Sequence, residues 1–211
     1  MKILDAKESE DFLKAYLPVA RSSLARNFDD ALKFASKNNY PVVLKLISEK
    51  IIHKTDYKAV SIVKDEEEMG KEFDRLLGLA RKRRLNVRGI LVQEFFKGKE
   101  IIIGLKKDET FEHVIMVGIG GIYAELLRDV SFRVCPITSE DADEMLNELK
   151  SKKILEGVRG ERGINLNLLK NILVRVSKIP EKNNKIKEMD INPLIINSKD
   201  AKIVDTRIVF E

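Results

Sequence analysis

The chain has 211 residues, of which 44% are hydrophobic and 35% are charged, and its formal net charge is +5. This composition is typical of a compact protein and excludes a disordered chain. No apolar run reaches the roughly 18 residues of a membrane-spanning helix. The N-terminus also lacks the basic start and the apolar segment that are typical of a signal peptide. The single cysteine can form no internal disulfide. We therefore expect a cytoplasmic protein that has no membrane segment.

The positive net charge does not indicate nucleic-acid binding. Basic and acidic residues alternate along most of the chain, which is typical of a solvated surface with ion pairs. The densest basic cluster, 81–84, ends a predicted helix and contains no aromatic residue that could stack on a base. The abundance of Lys, Glu and Ile and the lack of Trp are typical of proteins from thermophiles.

Hydrophobic periodicity predicts alternating helices and strands. In chain order these are a helix at 8–16, a strand at 19–22, a helix at 30–37, strands at 40–47 and 57–64, a helix at 66–80, strands at 89–96, 100–105 and 113–117, helices at 139–150 and 165–177, and a hairpin of 188–197 and 202–210. Asn27 or Asp29 would cap the second helix, and Asp65 the third. The pattern predicts an α/β (α+β) protein with mostly antiparallel sheets flanked by helices, in two lobes at 1–95 and 96–211.

A glycine-rich segment follows the apolar strand at 113–117. It contains Gly118, Gly120 and Gly121, and carboxylates and arginines come within the next dozen residues. No Gly-Lys-Ser/Thr follows, and Gly-x-Gly-Gly is not the dinucleotide-binding pattern. A turn between a buried strand and a helix and a site that handles phosphate or metal both remain open for this segment.

Two isolated residues have a chemistry suited to phosphate. Lys45 lies inside an apolar strand, where it is either an edge-strand lysine that reaches water or a cation that binds phosphate in a cleft. His53 lies in a polar loop and is either a surface residue or a nucleophile toward phosphorus.

Glu94 and Glu100 flank the junction of the lobes, where they either form surface ion pairs or contact a ribose hydroxyl.

The C-terminal hairpin carries a set of oxygen ligands. Strand alternation places Glu188, Asp190 and Asn192 on one face, and Asp205 on the partner strand can lie opposite them. Carboxylate and amide oxygens suit Mg²⁺, which also bridges to phosphates. The alternative is that Asn192-Pro193 only ends the strand.

Seven segments in the same order resemble the ATP-grasp subunit of ADP-forming acyl-CoA synthetases. They are YPVVLKLIS, IIHKTD, LVQEFFKGKEIIIGLKKD, MVGIGGIYAELLRDVSFRVCPI, GVRGERG, EMDINPLII and IVDTRI. The resemblance is close for the β subunit of ADP-forming acetyl-CoA synthetase and more distant for succinyl-CoA synthetase β. The resemblance covers about 6–208, so we expect a whole subunit.

The resemblance implies an ATP-grasp fold with ATP or ADP between two lobes. It implies that the nucleotide is contacted by Lys45, Gln93, Glu94, Phe95 and Glu100. It also implies that Mg²⁺ is bound by Asn192 and Asp205, and that the catalytic residues are His53, Glu125 and Asp190. His53 would relay a phosphoryl group, Asp190 would face the phosphohistidine, and Glu125 would orient an imidazole.

The implied enzyme is an ADP-forming acid–CoA ligase, which converts acyl-CoA, ADP and phosphate to acid, CoA and ATP. Its partner would be a CoA-binding α subunit, in an α2β2 heterotetramer. The alternative from another class is a non-catalytic ATP-grasp module that senses nucleotide and regulates a partner protein.

Overall fold

The computed structural model describes residues 1–48, 57–121, 129–158 and 160–211. The strands are β1 (Lys2–Leu4), β2 (Ser22–Ala25), β3 (Val42–Ser48), β4 (Val60–Val63), β5 (Val87–Glu94), β6 (Lys99–Asp108), β7 (Glu112–Ile119), β8 (Val130–Val134), β9 (Ile186–Ile196), β10 (Ala201–Ile203) and β11 (Thr206–Phe210). The helices are α1 (Ala6–Leu13), α2 (Phe28–Asn38), α3 (Glu66–Lys82), α4 (Ser139–Glu148), α5 (Lys152–Glu156), α6 (Leu166–Ser177) and α7 (Ile179–Lys182).

The chain divides into two compact units. The smaller unit is Ala20–Phe96, and the larger one combines Met1–Val19 with Lys97–Glu211. The predicted boundary between 95 and 96 lies one residue from the observed one. The first 19 residues differ from the predicted lobe at 1–95, because β1 pairs with β11 and so belongs to the larger unit.

The smaller unit is an antiparallel sheet in the order β2-β5-β3-β4, with two helices on one face. Helix α3 buries Met69, Phe73 and Leu76, whose spacing of three and four residues forms one apolar stripe. The Asp65 side chain caps this helix by accepting a hydrogen bond from a main-chain N–H, as predicted, and the Asn27 side chain caps α2 in the same way. Asn27, rather than Asp29, is therefore the cap of α2.

The larger unit is built on a sheet in the order β1-β11-β9-β6-β7-β8, with β10 paired to β9. The pairs between these strands are antiparallel. Helix α6 packs on β6 and β7, α4 packs on β8, and α1 packs on β11. This arrangement confirms the predicted α/β class with antiparallel sheets flanked by helices. None of the helices within the described ranges has the length and hydropathy needed to cross a membrane.

Three features of this sheet differ from the predicted elements. Strands β1 and β8 were not predicted. The predicted strand at 202–210 is split into β10 and β11, because Val204 and Asp205 leave the ladder between them. The Asp205 carboxylate accepts a hydrogen bond from the N–H of Thr206 at 3.0 Å, and such local side-chain bonds compete with strand pairing.

Candidate functional site

Lys45 and Gln93 lie on the same face of the smaller sheet. Leu44, on the other face of β3, packs into the helical core, so alternation directs Lys45 away from the helices. Lys45 pairs with Leu91 and Gln93 pairs with Val43, which makes Lys45 and Gln93 diagonal neighbours on adjacent strands. Both side chains are buried. The structure therefore brings together two of the predicted nucleotide-binding residues on one sheet face.

The Glu94 carboxylate is engaged by Arg21, a residue that the sequence analysis did not select. Its Oε1 accepts from the Arg21 main-chain N–H at 2.8 Å, and its Oε2 lies 2.7 Å from both Nε and Nη2 of Arg21. No local sequence signal points to this pair, because 73 positions separate the two residues. Phe95, the next predicted residue, is 37% exposed.

Asp190, Asn192 and Asp205 come together in the larger unit, where β9 meets the junction of β10 and β11. The Asn192 N–H donates to the main-chain oxygen of Asp205 at 3.0 Å. The Thr206 hydroxyl donates to the main-chain oxygen of Asp190, also at 3.0 Å. The hairpin register that the sequence analysis required is therefore present, and it places both predicted metal ligands beside the predicted catalytic carboxylate.

A β-bulge in β9 includes Asn192. Ile101 pairs with Leu194 and Ile103 pairs with Ile191, so Asn192 and Pro193 lie opposite a single residue of β6. A bulge bends the strand and redirects its side chains. Asn192 is exposed and Pro193 is half-buried, whereas Ile191 and Leu194, which flank these two residues, are buried. The segment does more than end a strand, because β9 continues to Ile196.

The glycines of the 118–121 segment allow strands to approach closely. A Cβ on Gly120 would lie 2.8 Å from the Cβ of Glu100, and a Cβ on Gly118 would lie 2.9 Å from Cγ1 of Val130. The Gly120 N–H donates to the Glu100 main-chain oxygen at 2.8 Å. Gly121 has a φ of +68°, which favours glycine. The segment therefore holds Glu100, at the start of β6, against the residues that follow β7, and its glycines have a packing role.

Asp129 holds the loop after α4 by accepting from the main-chain N–H groups of Lys150 (2.9 Å) and Ser151 (2.7 Å) and from the Ser151 hydroxyl. Burial alone would raise the pKa of Asp129, but the hydrogen bonds from Ser151 and Lys150 outweigh it, so this pKa lies below its usual value. Asp129 therefore has a structural role.

Arg133 also has a structural role, because it joins β8 to α4. Its Nη2 lies 2.6 Å from Glu148 and 3.3 Å from Glu144. The hydrogen bond from Arg133, followed by one from Ser131, lowers the pKa of Glu148 to about 2.

His113 is the second histidine of the chain and is buried against the main chain. Its Nε2 lies 2.8 Å from the main-chain oxygen of Ile186, so the His113 side chain stabilises the sheet of the larger unit. The predicted catalytic residues His53 and Glu125 lie outside the described residues, and their roles stay predictions.

Over the described ranges, no group of three or more His, Cys, Asp or Glu side chains is arranged to hold a metal ion. Asn192 and Asp205 nevertheless fit Mg²⁺, which commonly binds through one or two protein carboxylates and takes its remaining ligands from water and phosphates.

Comparison with known proteins places this geometry in a family. A family model described as an ATP-grasp domain matches residues 1–210. The β subunit of acetate–CoA ligase [ADP-forming] II from Pyrococcus furiosus is 42% identical, over 97% of this chain and 90% of that subunit. The 4-hydroxybutyrate–CoA ligase [ADP-forming] of Nitrosopumilus maritimus is 40% identical over 96% of this chain, which spans 30% of that longer protein.

The solved structures agree with the sequence relatives. Acetyl-coenzyme A synthetase 1 of Candidatus Korarchaeum cryptofilum, in complex with coenzyme A and Ca-AMPCP, superimposes with a TM-score of 0.95 at 38% identity, covering 100% of this chain and 94% of that one. The same enzyme in complex with Mg-AMPPCP, with its phosphohistidine segment pointing towards the nucleotide-binding site, gives a TM-score of 0.87 at 38% identity, covering 100% of this chain and 93% of that one. The chain therefore belongs to the ATP-grasp family and, within it, to the family of ADP-forming acetate–CoA ligase β subunits.

Proposed function

We propose that this chain is the nucleotide-binding β subunit of an ADP-forming acyl-CoA ligase. Its reaction would be the Mg²⁺-dependent transfer of a phosphoryl group between a phosphohistidine and ADP, which yields ATP. The main support is the contact between Asn192 and Asp205 beside Asp190, in a chain that is 42% identical to such a β subunit. This main-chain hydrogen bond sets Asn192 and Asp205 side by side, and their side chains carry amide and carboxylate oxygens of the kind that Mg²⁺ binds in phosphoryl-transfer sites.

The described residues supply charge and position for this reaction. The Lys45 ammonium group would bind phosphate oxygens, with Gln93 beside it on the same sheet face. The Asn192 amide oxygen and the Asp205 carboxylate would hold Mg²⁺, which neutralises phosphate charge when it is bound. Asp190 would face the phosphohistidine.

The transfer itself balances without any further reactant. The N–P bond of phosphohistidine at His53 breaks and an O–P bond forms to the terminal phosphate oxygen of ADP, and the ring, which is protonated at its other nitrogen before the transfer, leaves as neutral imidazole. Phe95 and Glu100 complete the proposed nucleotide contacts, and Glu125 would orient the imidazole.

We further propose that a CoA-binding α subunit completes the enzyme, as an α2β2 heterotetramer in the cytoplasm. Relatives of similar length are named β subunits, whereas the 4-hydroxybutyrate–CoA ligase carries its matching segment within a chain about three times as long. The acid would bind to the partner subunit, so the partner would determine which acid the enzyme uses.

A labelling experiment tests the phosphoryl relay. The chain is incubated with its α partner, Mg²⁺ and γ-labelled ATP, and we expect acid-labile, alkali-stable label on this chain. His53→Ala should abolish the label, whereas His113→Gln, the control at the other histidine, should keep it. Label that persists in His53→Ala would contradict the relay. A wild-type chain that binds ATP but takes no label would instead support the nucleotide-sensing module.

Metal ligation is tested at Asp205. Asp205→Asn keeps an oxygen that can accept from the Thr206 N–H but removes the charge. We expect ADP affinity to fall by about tenfold or more with Mg²⁺ present and to change little in EDTA. Equal losses in the two conditions would argue against Asp205 as a metal ligand.

A further inference from the structure

We infer that Arg21 and Glu94 form a positioning pair for the nucleotide site, and that the Glu94 carboxylate does not itself contact nucleotide. The inference rests on the proposed nucleotide binding and concerns how the segment Glu94–Phe95 is held. In this assignment Arg21 is a positioning residue, and the nucleotide meets only the main chain of Glu94.

The contacts between the two residues fix both the main chain and the side chain of Glu94. The Glu94 N–H donates to the Arg21 main-chain oxygen at 2.9 Å. The Arg21 N–H donates to Oε1 of Glu94, and the Arg21 guanidinium donates to Oε2. The Glu94 carboxylate therefore accepts a hydrogen bond from the Arg21 N–H. In a regular antiparallel ladder, a main-chain carbonyl oxygen would accept that bond. These contacts tie the end of β5 to the residue that precedes β2.

Strand alternation places the Glu94 carboxylate away from the predicted phosphate-binding face. Val92 packs into the helical core, and Glu94 follows it by two positions, so the two side chains share a face. Gln93 lies on the other face together with Lys45. A nucleotide on the Lys45 face would therefore meet the Gln93 side chain and the main chain of Glu94–Phe95.

The pair differs from an ordinary surface ion pair. Exposed pairs contribute little because water screens them and both side chains lose freedom. Here the Arg21 side chain is 65% exposed but the Glu94 side chain is only 13% exposed, and the planar guanidinium presents two nitrogens to the same carboxylate oxygen. A carboxylate held in this way is neutralised by Arg21 and does not repel the phosphates of a bound nucleotide. The pair also sits at the last position of β5, where the chain leaves the sheet.

Equilibrium binding of MgADP and MgGDP to the full chain tests the inference, with wild type, Arg21→Met, Glu94→Gln and the double variant. We expect each single variant to weaken MgADP binding by about fivefold to tenfold, because the main chain of Glu94–Phe95 loses its fixed position. The double variant should be no weaker than the single ones, because both remove the same pair. The ratio of ADP to GDP affinity should also fall, a change that lowered stability alone would not produce.

Arg75→Met is the matched control. Arg75 donates from Nε to the Glu72 carboxylate at 2.7 Å. Arg75→Met therefore also removes an Arg–Glu pair from the smaller unit. It should lower the unfolding midpoint and leave ADP affinity unchanged. If Arg21→Met does not fold, Arg21→Lys replaces it, since lysine keeps the charge but not the two-nitrogen geometry.

Three results would overturn the inference. Glu94→Gln could weaken ADP binding by the same factor with and without Arg21, which would make the carboxylate a direct ligand. Arg21→Met could bind ADP with wild-type affinity and selectivity, or Arg75→Met could reproduce its loss. A wild-type chain that binds no nucleotide would instead refute the proposed function, and the positioning role with it, which distinguishes that failure from these three results.

Discussion

Gly120→Ala should destabilise the larger unit, because an added Cβ has no room. That atom would lie 2.8 Å from the Glu100 Cβ and 3.2 Å from its main-chain carbon. The contact must lengthen by about 0.6 Å to reach ordinary van der Waals distance. The Gly120 N–H bond to the Glu100 oxygen, at 2.8 Å, opposes such a shift. Overpacking of this kind costs about 1–3 kcal/mol of unfolding free energy.

Urea unfolding at constant pH measures this cost, with Gly78→Ala as the control. A Cβ on Gly78 meets no atom within 4 Å, and alanine is the better helix former, so this variant should gain about 0.5–1 kcal/mol. Gly120→Ala should also weaken ADP binding, because it displaces Glu100. An unfolding midpoint for Gly120→Ala at or above that of wild type would refute the packing role of this glycine.

Two pH-dependent predictions follow from carboxylates of the larger unit. The folded-state pKa of Asp129 is lowered, so its stabilisation is present above the unfolded pKa of about 3.9 and is lost as the pH falls through the folded pKa. Asp129→Asn should therefore lower the unfolding free energy by about 1–3 kcal/mol at pH 7 and by progressively less below pH 4; a difference that is constant with pH would contradict this. Glu148 should titrate near pH 2 by NMR and return toward about 4.3 in Arg133→Met. An unchanged midpoint in that variant would show that Arg133 is not the cause.

The proximity of Asp190, Asn192 and Asp205 could be predicted from the sequence because these residues lie close together along the chain. Alternation and one short turn suffice to place Asp190 and Asn192 near Asp205. The bulge at Asn192 and the break before Thr206 could not be predicted. Both depend on main-chain and side-chain hydrogen bonds that a hydrophobic pattern does not encode.

Strand β8 was missed because its burial is the reverse of its hydrophobic pattern. Phe132 and Val134 are exposed, whereas Ser131 is buried and donates its hydroxyl to Glu148. The partner of Glu94 was missed for another reason, since Arg21 lies 73 positions away. Contacts of this range depend on the register of a whole sheet, which one sequence does not specify.

The pairing of β1 with β11 has a consequence for how the chain folds during synthesis. Lys2 pairs with Phe210, so the first strand has no partner until almost the whole chain has been made. Every strand of the smaller sheet, by contrast, lies within 22–94 and can pair as soon as that stretch leaves the ribosome. Because local contacts form with less loss of chain entropy, we expect Ala20–Phe96 to fold first while the N-terminal strand waits.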